Sequence, residues 1–329
     1  MLDSATTSAS ARVGAWHRSS ALVYGAAGAL LGAALVLAAF RVGERAGRLS
    51  DWQALVLGVV QGATELLPIS SSGHLILVPW AADWTYLETH SSFNKTFDVA
   101  LHLGTLVAVV LYFWSDIVRY LVAWIRSIRR RRVVDADERV AWAVAAATVP
   151  AAIAGAVGES FIEKKLGDPW QILIVLAVFG AVLWAVDRLP ERRGLDDVDV
   201  RSGFLVGLAQ VLALVPGVSR SGITITAGRA LRLDRDAAAR LSFLLLVPVV
   251  LGAVLYKGLK DVVLNSLPAG STGPFLVGTL ASVAVGLLAI ELLLGYVRRH
   301  DYSLFVVYRL VAAAVTLIVI ATGVRAATF

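Results

Sequence analysis

The segment QGATELLPISSSGH, residues 61–74, places a carboxylate, three consecutive serines and a histidine between two strongly apolar stretches. A proline and the serine cluster break the surrounding apolar segment, residues 52–82, near its middle. A second apolar segment, residues 203–231, is broken in the same way by PGVSRSG, residues 216–222. These two interruptions decide the fold, because broken backbone at membrane depth is tolerated only inside protein or beside water.

The composition is that of a helical membrane protein. Of the 329 residues, 58% are hydrophobic and 16% are charged, whereas soluble domains carry about 25% charged residues. A helix crosses a bilayer with about 20 apolar residues. Seven runs approach that length: residues 21–40, 97–114, 140–158, 170–186, 240–256, 274–296 and 304–323. The absence of cysteine excludes disulfides, thiolate nucleophiles and cysteine-bound metals. We therefore predict an all-α polytopic membrane protein.

The distribution of charge indicates the orientation of the chain. The formal net charge is +6, and the arginines lie in short loops, most densely in RSIRRRR, residues 126–132. Such loops usually remain on the cytoplasmic side of a membrane. Placing residues 126–132 there brings the arginine-rich loops at 188–201 and 298–300 to the same face. Membrane topology, and not a nucleic-acid partner, is therefore expected to explain the basic charge.

The N-terminus carries one further apolar run. Residues 1–20 are rich in serine and alanine and are predicted to be disordered. Residues 21–41 exceed a typical signal-peptide core and are followed by further arginines, which favours a retained transmembrane helix over a cleaved signal peptide. The membrane domain proper is predicted to run from residue 52 to residue 329.

The two broken segments resemble each other. With this orientation each begins and ends on one face, the first entering from outside and the second from inside, so both are predicted to be re-entrant hairpins. Laying residues 58–77 over residues 207–226 matches Gly58, Gln61, Ser70, Ser72, Gly73 and Ile76 with Gly207, Gln210, Ser219, Ser221, Gly222 and Ile225. We therefore predict inverted-topology repeats, about 52–186 and 203–323, whose hairpins meet near the bilayer midplane.

The first hairpin carries candidate acid–base chemistry. Gln61 and Glu65 are four residues apart and share one helix face. An ionisable side chain at membrane depth costs at least a few kcal/mol and indicates a functional site. His74 follows the serine run, and an imidazole transfers protons near neutral pH. The alternative is that Glu65 pairs with Arg220 merely to hold the hairpins together, and both roles can coexist.

The second hairpin resembles an anion-binding loop. In PGVSRSGIT, residues 216–224, a proline ends one helix and two glycines loosen the turn before the next helix begins. Backbone N–H groups can then face an anion at the positive end of that helix. Arg220 offers a bidentate match to phosphate oxygens. The alternative is a Ser/Gly-rich turn whose arginine forms a salt bridge elsewhere.

Three other polar features receive structural interpretations. His102 lies on the run 97–114 without the carboxylate and hydroxyls that accompany His74, and it is predicted to be structural. Glu291 and Arg309, on the last two spans, are predicted to pair with each other. The aspartates in RGLDDVDVRS, residues 193–202, lack the geometry of a metal site.

These motifs resemble those of the bacterial undecaprenyl-diphosphate phosphatases of the bacitracin-resistance type. That family has an (E/Q)xxxE motif followed by serines and a histidine, and a second motif PGxSRSxxT. The segments NKTFDVALHLGTLVAVVLYFW, RGLDD and YRLVAAAV are also similar to the family, so the resemblance extends from about residue 52 to the last span. It implies interlocked inverted repeats and hydrolysis of a C55 polyprenyl diphosphate to the monophosphate. It also implies a divalent cation, Mg²⁺ or Ca²⁺, a site open to the extracytoplasmic side of a bacterial plasma membrane, and commonly a homodimer.

The resemblance also assigns residues. The essential family residues map onto four catalytic candidates: Glu65, Ser71, His74 and Arg220. The candidates for binding the diphosphate are Gln61, Ser70, Ser72, Gly217, Ser219, Ser221, Gly222 and Thr224. Glu65 is also the candidate metal ligand. The chain departs from the commoner pattern in having Gln61 where the family often has glutamate, so Gln61 is not expected to be an essential base, and residues 21–41 lie outside the family core.

Two questions remain open from the sequence. Ser71 could be the nucleophile with His74 as base and then acid, or His74 could activate water directly. The competing class of protein is an anion or lipid transporter, because inverted repeats with broken helices are typical of transporters. A pore would not need His74 beside Glu65, which favours the phosphatase.

Overall fold

The computed structural model describes residues 49–84, 86, 87, 90–255 and 271–328. The predicted disordered segment 1–20 and the predicted N-terminal helix 21–41 lie outside the described residues.

Within these ranges the chain forms α-helices and no β-strand, apart from one isolated bridge between Arg193 and Leu233. The helices are α1 (Asp51–Leu66), α2 (Ser71–Ala82), α3 (Ser91–Tyr112), α4 (Trp114–Arg130), α5 (Ala136–Lys165), α6 (Pro169–Asp187), α7 (Val200–Gln210), α8 (Arg220–Ala230), α9 (Arg235–Ala253), α10 (Thr272–Val297) and α11 (Ser303–Ala321). Short 3₁₀ turns at Leu195–Asp197 and Val211–Leu214 precede and follow α7.

Six of these helices are long and apolar enough to cross a membrane: α3, α5, α6, α9, α10 and α11. They correspond to six of the seven predicted spans, and the seventh lies outside the described residues. The prediction of an all-α polytopic membrane protein is confirmed. Helix α4 was not predicted; it combines exposed apolar side chains with the arginines that were expected to form a loop.

The two interrupted segments form matching helix pairs, α1–α2 and α7–α8. Ser70 caps the start of α2 with φ +78°, and Ser219 caps the start of α8 with φ +75°. The hydroxyl oxygen of each serine accepts a hydrogen bond from a glycine amide three residues later, Gly73 or Gly222. A positive φ is uncommon for a residue with a side chain. The same backbone at the two aligned serines supports the internal repeat.

The two repeats interlock through small residues. Helix α1 packs on α10 and helix α7 packs on α5, so each broken helix lies against a span of the other repeat. A Cβ atom added to Gly58 would lie 2.3 Å from the carbonyl oxygen of Gly278, and one added to Gly203 would lie 2.2 Å from that of Ala143. Glycine allows this close approach of helix backbones, as it does at helix interfaces in membranes generally.

The tips of the two hairpins meet beside α11. The hydroxyl of Ser221 donates to the carbonyl of Leu67 at 2.9 Å. The fully buried guanidinium of Arg309 donates from Nε to the carbonyl of Pro68 at 2.6 Å and from Nη2 to the carbonyl of Val218 at 3.0 Å. The predicted convergence of the two hairpins is therefore observed.

The predicted pairing of Glu291 with Arg309 is wrong. Arg309 instead satisfies carbonyls in the loops where the helices are broken, groups that have no partner within a helix. Glu291 accepts a hydrogen bond from the hydroxyl of Tyr112 on α3 at 2.7 Å. The prediction considered only the two charged side chains. In the structure, the acceptors for Arg309 are the loop carbonyls of Pro68 and Val218.

Candidate active site

Glu65 lies at the centre of the polar cluster between the hairpins. It is the penultimate residue of α1 and is only 6% exposed. Its Oε1 accepts a hydrogen bond from Nη2 of Arg220 at 2.9 Å. Its Oε2 accepts one from the hydroxyl of Ser71, and a longer one from Nε2 of Gln61 at 3.3 Å. The carboxylate thus joins a cation of the second repeat to a hydroxyl of the first.

Arg220 is positioned by the start of α8, directly after the cap at Ser219. Its Nη1 donates to the carbonyl of Ser242 on α9 at 2.8 Å, while Nη2 reaches Glu65. Its Nε is buried and has no hydrogen-bond partner within the described residues. The pairing of Glu65 with Arg220, weighed above as a way to hold the hairpins together, is present across the two repeats.

Ser71 is the first residue of α2, and its hydroxyl donates to the carboxylate of Glu65 in the last turn of α1. A hydroxyl that donates to a buried carboxylate is oriented by it and can lose its proton to it. The observed partner of Ser71 is therefore Glu65, whereas one of the two routes expected from the sequence had His74 as its base.

His74 is buried on the next turn of α2 and uses both ring nitrogens. Nδ1 lies 2.6 Å from the carbonyl oxygen of Ser70, which can only accept, so Nδ1 carries the hydrogen. Nε2 lies 2.8 Å from the hydroxyl of Tyr308 on α11. The structure thus places His74 beside the serine run, with its second nitrogen directed toward Tyr308.

His102 also reaches the cluster, which the sequence analysis did not foresee. Its Nε2 lies 3.5 Å from Oε2 of Glu65, and its Nδ1 lies 2.7 Å from the carbonyl of Asp98. The prediction that His102 lies apart from the carboxylate of the first hairpin is therefore wrong. The available signal was an ionisable residue within a predicted span, but the contact with Glu65 depends on how α3 packs against α1.

The remaining candidates mainly shape the loops. The hydroxyls of Ser219 and Ser221 lie 3.1 Å apart, and that of Thr224 donates to Oγ of Ser242 at 2.8 Å. Gly217 has φ +97°, and a Cβ atom on Gly222 would lie 2.4 Å from Nη2 of Arg309. The hydroxyls of Ser70 and Ser72 lie 3.4 Å apart at the start of α2. The structure therefore gathers Gln61, Glu65, Ser71 and Arg220 into one cluster. The other candidates shape the two loops beside it, where Ser70 and Ser219 cap α2 and α8.

The donor atoms around Glu65 bear on a divalent metal. The described residues contain no group of three or more His, Asp or Glu side chains that could hold an ion by themselves. Oε1 of Gln61 is nevertheless buried and lacks a hydrogen-bond partner within these residues. Mg²⁺ and Ca²⁺ prefer oxygen ligands, and Mg²⁺ is often held by one carboxylate plus phosphate oxygens of the substrate. The residues fit an ion that shares its ligands with a bound phosphate.

The geometry combines three functions that phosphoryl transfer requires. Arg220 provides positive charge, Ser71 provides a hydroxyl, and Glu65 provides a proton acceptor in contact with both. Phosphoryl transfer depends mainly on positioning and charge neutralisation. This cluster lies between the broken helices of the bundle.

Comparison with known proteins identifies the family of this chain. Residues 54–315 match the family described as "Bacitracin resistance protein BacA". The chain is 46% identical over 263 residues to an "Undecaprenyl-diphosphatase" of Moorella thermoacetica, covering 80% of this chain and 95% of that protein. It is 45% identical over 278 residues to a protein of the same name from Thermomicrobium roseum, covering 82% and 98%. The family match spans both hairpins and five of the six candidate membrane spans in full, and the chain therefore belongs to the BacA family of bacitracin resistance proteins.

Proposed function

We infer that this protein hydrolyses undecaprenyl diphosphate to undecaprenyl phosphate and inorganic phosphate. Such a reaction recycles the carrier lipid of peptidoglycan and other cell-wall polymers and confers resistance to bacitracin. The observation that carries the inference is the contact of Glu65 with both Ser71 and Arg220, made across the two hairpin tips. The name shared by the relatives supports the same reaction.

In the proposed mechanism, Arg220 binds oxygens of the terminal phosphoryl group and neutralises their charge. Ser71 attacks the terminal phosphorus while its proton passes to Glu65, and the bond from that phosphorus to the bridging oxygen breaks. Undecaprenyl phosphate leaves, and water then cleaves the phosphoserine to release inorganic phosphate. In the alternative route, His74 takes a proton from water, which attacks the phosphorus directly.

The proposed divalent cation would be held by Glu65 and Gln61 together with oxygens of the diphosphate. When bound, it would supply charge neutralisation to the phosphates. The unpartnered Oε1 of Gln61 supports this assignment. As a ligand of this cation, Gln61 would have a role that does not require it to act as a base.

We also propose that the protein lies in a bacterial plasma membrane with its arginine-rich loops in the cytoplasm and its active site open to the opposite side. The exposed arginines at the end of α4 and directly after it, residues 129–132, support this orientation. The resemblance described above further suggests a homodimer, which a molar-mass measurement in detergent would test. A transporter is less well supported, because ion passage does not require a hydroxyl bonded to a buried carboxylate.

The test is phosphate release from a C55 polyprenyl diphosphate by purified protein in detergent, with Mg²⁺, with Ca²⁺ and with a chelator. Wild type is compared with Glu65→Ala and Arg220→Ala, and with Arg298→Ala, which removes an exposed arginine paired with Asp236. We expect metal-dependent release by wild type and Arg298→Ala only. Absence of release from folded wild type under every condition, with anion flux in liposomes, would support the transporter instead.

A further inference from the structure

The contact between His74 and Tyr308 links the first hairpin to the last helix of the chain. The hydroxyl of Tyr308 lies 2.8 Å from Nε2 of His74, and the two rings stack with centroids 5.5 Å apart and planes inclined by 23°. The two residues are 234 positions apart in sequence. Nothing in the motif of either hairpin points to Tyr308.

The neighbour of Tyr308 fixes its position. Arg309 donates to Pro68 in the first hairpin loop and to Val218 in the second. Helix α11 is thereby attached to both loops one residue away from Tyr308. Because α11 cannot slide past the hairpins without breaking these bonds, the phenol is held at a constant distance from His74.

The chemistry of a phenol suits this position. With Nδ1 of His74 donating to Ser70, the neutral ring has only the lone pair of Nε2 to offer, and the hydroxyl of Tyr308 can donate to it. When Nε2 is protonated, the same oxygen can accept. Tyrosine therefore keeps the ring in one orientation in both protonation states, which phenylalanine cannot do. Tyr308 is 43% exposed whereas His74 is buried.

We propose that Tyr308 is a positioning residue for the hydrolysis described above, which fixes the ring orientation of His74. The inference rests on the proposed function. Tyr308 acts through His74 and need not touch the substrate. It applies whether His74 assists the serine route or activates water, since both require the imidazole to be held in one orientation.

The test is Tyr308→Phe, which keeps the stacked ring and removes only the hydroxyl. Because a general acid or base contributes about 10²–10⁴-fold to a rate and misorientation forfeits part of that, we expect kcat to fall about 10-fold with KM within about twofold and the Tm unchanged. The matched control is Tyr112→Phe, which removes a hydroxyl bonded to Glu291 outside the site and should leave kcat unchanged.

A second measurement reads the contact without catalysis. In protein labelled with ¹⁵N-histidine, assigned with His74→Gln, the Nε2 signal of His74 should move in Tyr308→Phe and stay in place in Tyr112→Phe. An unchanged kcat in Tyr308→Phe, or a loss of activity with an unmoved Nε2 signal, would overturn the proposal. Wild-type protein that folds and binds but releases no phosphate would overturn the proposed function itself, and the positioning role with it.

Discussion

Glu65 serves two different partners with its two carboxylate oxygens, one toward Arg220 and one toward Ser71. Burying a carboxylate is costly unless a cation and further hydrogen bonds compensate it. Arg220 supplies the cation here, and Ser71 and Gln61 supply hydrogen bonds. The same contacts that make the buried charge tolerable also orient the hydroxyl for reaction.

Ser71→Ala tests the hydroxyl separately from the ion pair. It removes the donor to Glu65 but leaves the contact between Glu65 and Arg220. We expect phosphate release to fall at least about 100-fold, with little change in the Tm measured in the same detergent. Ser115→Ala, at an exposed position on α4, is the control. Activity retained within about twofold in Ser71→Ala would leave only the route in which water attacks.

His102→Gln tests the imidazole that the sequence analysis left as structural. Its Nδ1 lies 2.7 Å from the carbonyl oxygen of Asp98, and its Nε2 lies 3.5 Å from Oε2 of Glu65. Loss of the imidazole beside the Glu65 carboxylate should reduce phosphate release about 10-fold. This is smaller than the loss expected on removing a group that stabilises the transition state directly. His300→Gln is the matched control, because His300 makes the same type of bond to the carbonyl of Tyr296 on an exposed turn. Equal activity in the two variants would return His102 to a structural role.

At the scale of helices, close packing at glycine explains why the broken segments stay buried. In Gly203→Ala the new Cβ would meet the carbonyl of Ala143 at 2.2 Å, so α7 and α5 must separate. We expect a loss of about 1–3 kcal/mol in the free energy of unfolding, read as a lower Tm in detergent. Gly295→Ala, on α10 with nothing within 4 Å, should leave the Tm unchanged or slightly higher. A Tm for Gly203→Ala equal to that of Gly295→Ala would contradict the packing described.

Much of the helical architecture could be predicted from the sequence because its signals are local. Apolar runs give the spans, and proline with serine and glycine gives the two breaks. The pairing of Glu65 with Arg220 was also foreseeable as a possibility, since few charges lie within the apolar segments. The contacts of His102, Tyr308 and Arg309 could not be foreseen, because they join residues far apart in the chain and depend on which face each helix presents. Helix α4 was not predicted, because the arginines in its last turns were interpreted as a loop.

At the scale of the whole molecule, the described residues form two interlocked halves with the candidate site at their junction. Arg309 bonds to one loop of each half, so Arg309→Met should leave the carbonyls of Pro68 and Val218 without their buried donors. An unsatisfied buried polar group costs about 1–3 kcal/mol, and we expect a clearly lower Tm and a loss of phosphate release. Arg298→Met, at an exposed pair, should change neither. Unchanged stability in Arg309→Met would show that the halves are held together without this link.

The proposed orientation can be tested because the chain has no cysteine of its own. Arg131→Cys lies after α4 on the predicted cytoplasmic side, and Lys165→Cys lies at the exposed end of α5 on the opposite side. In intact cells, a membrane-impermeant thiol reagent should label Lys165→Cys and label Arg131→Cys only after the cells are opened. The reverse pattern would invert the topology and place the arginine-rich loops outside.

The most direct test of the central claim, that the two hairpins form one active site, is phosphate release by Glu65→Gln, Arg220→Gln and the double variant. Residues that act as a unit in catalysis are strongly non-additive. We predict that the rate of phosphate release falls at least about 100-fold in each single variant. The double variant should release phosphate no more slowly than the less active of the two single variants. Near-wild-type release by either folded single variant, or losses that multiply in the double variant, would contradict a site shared between the hairpins.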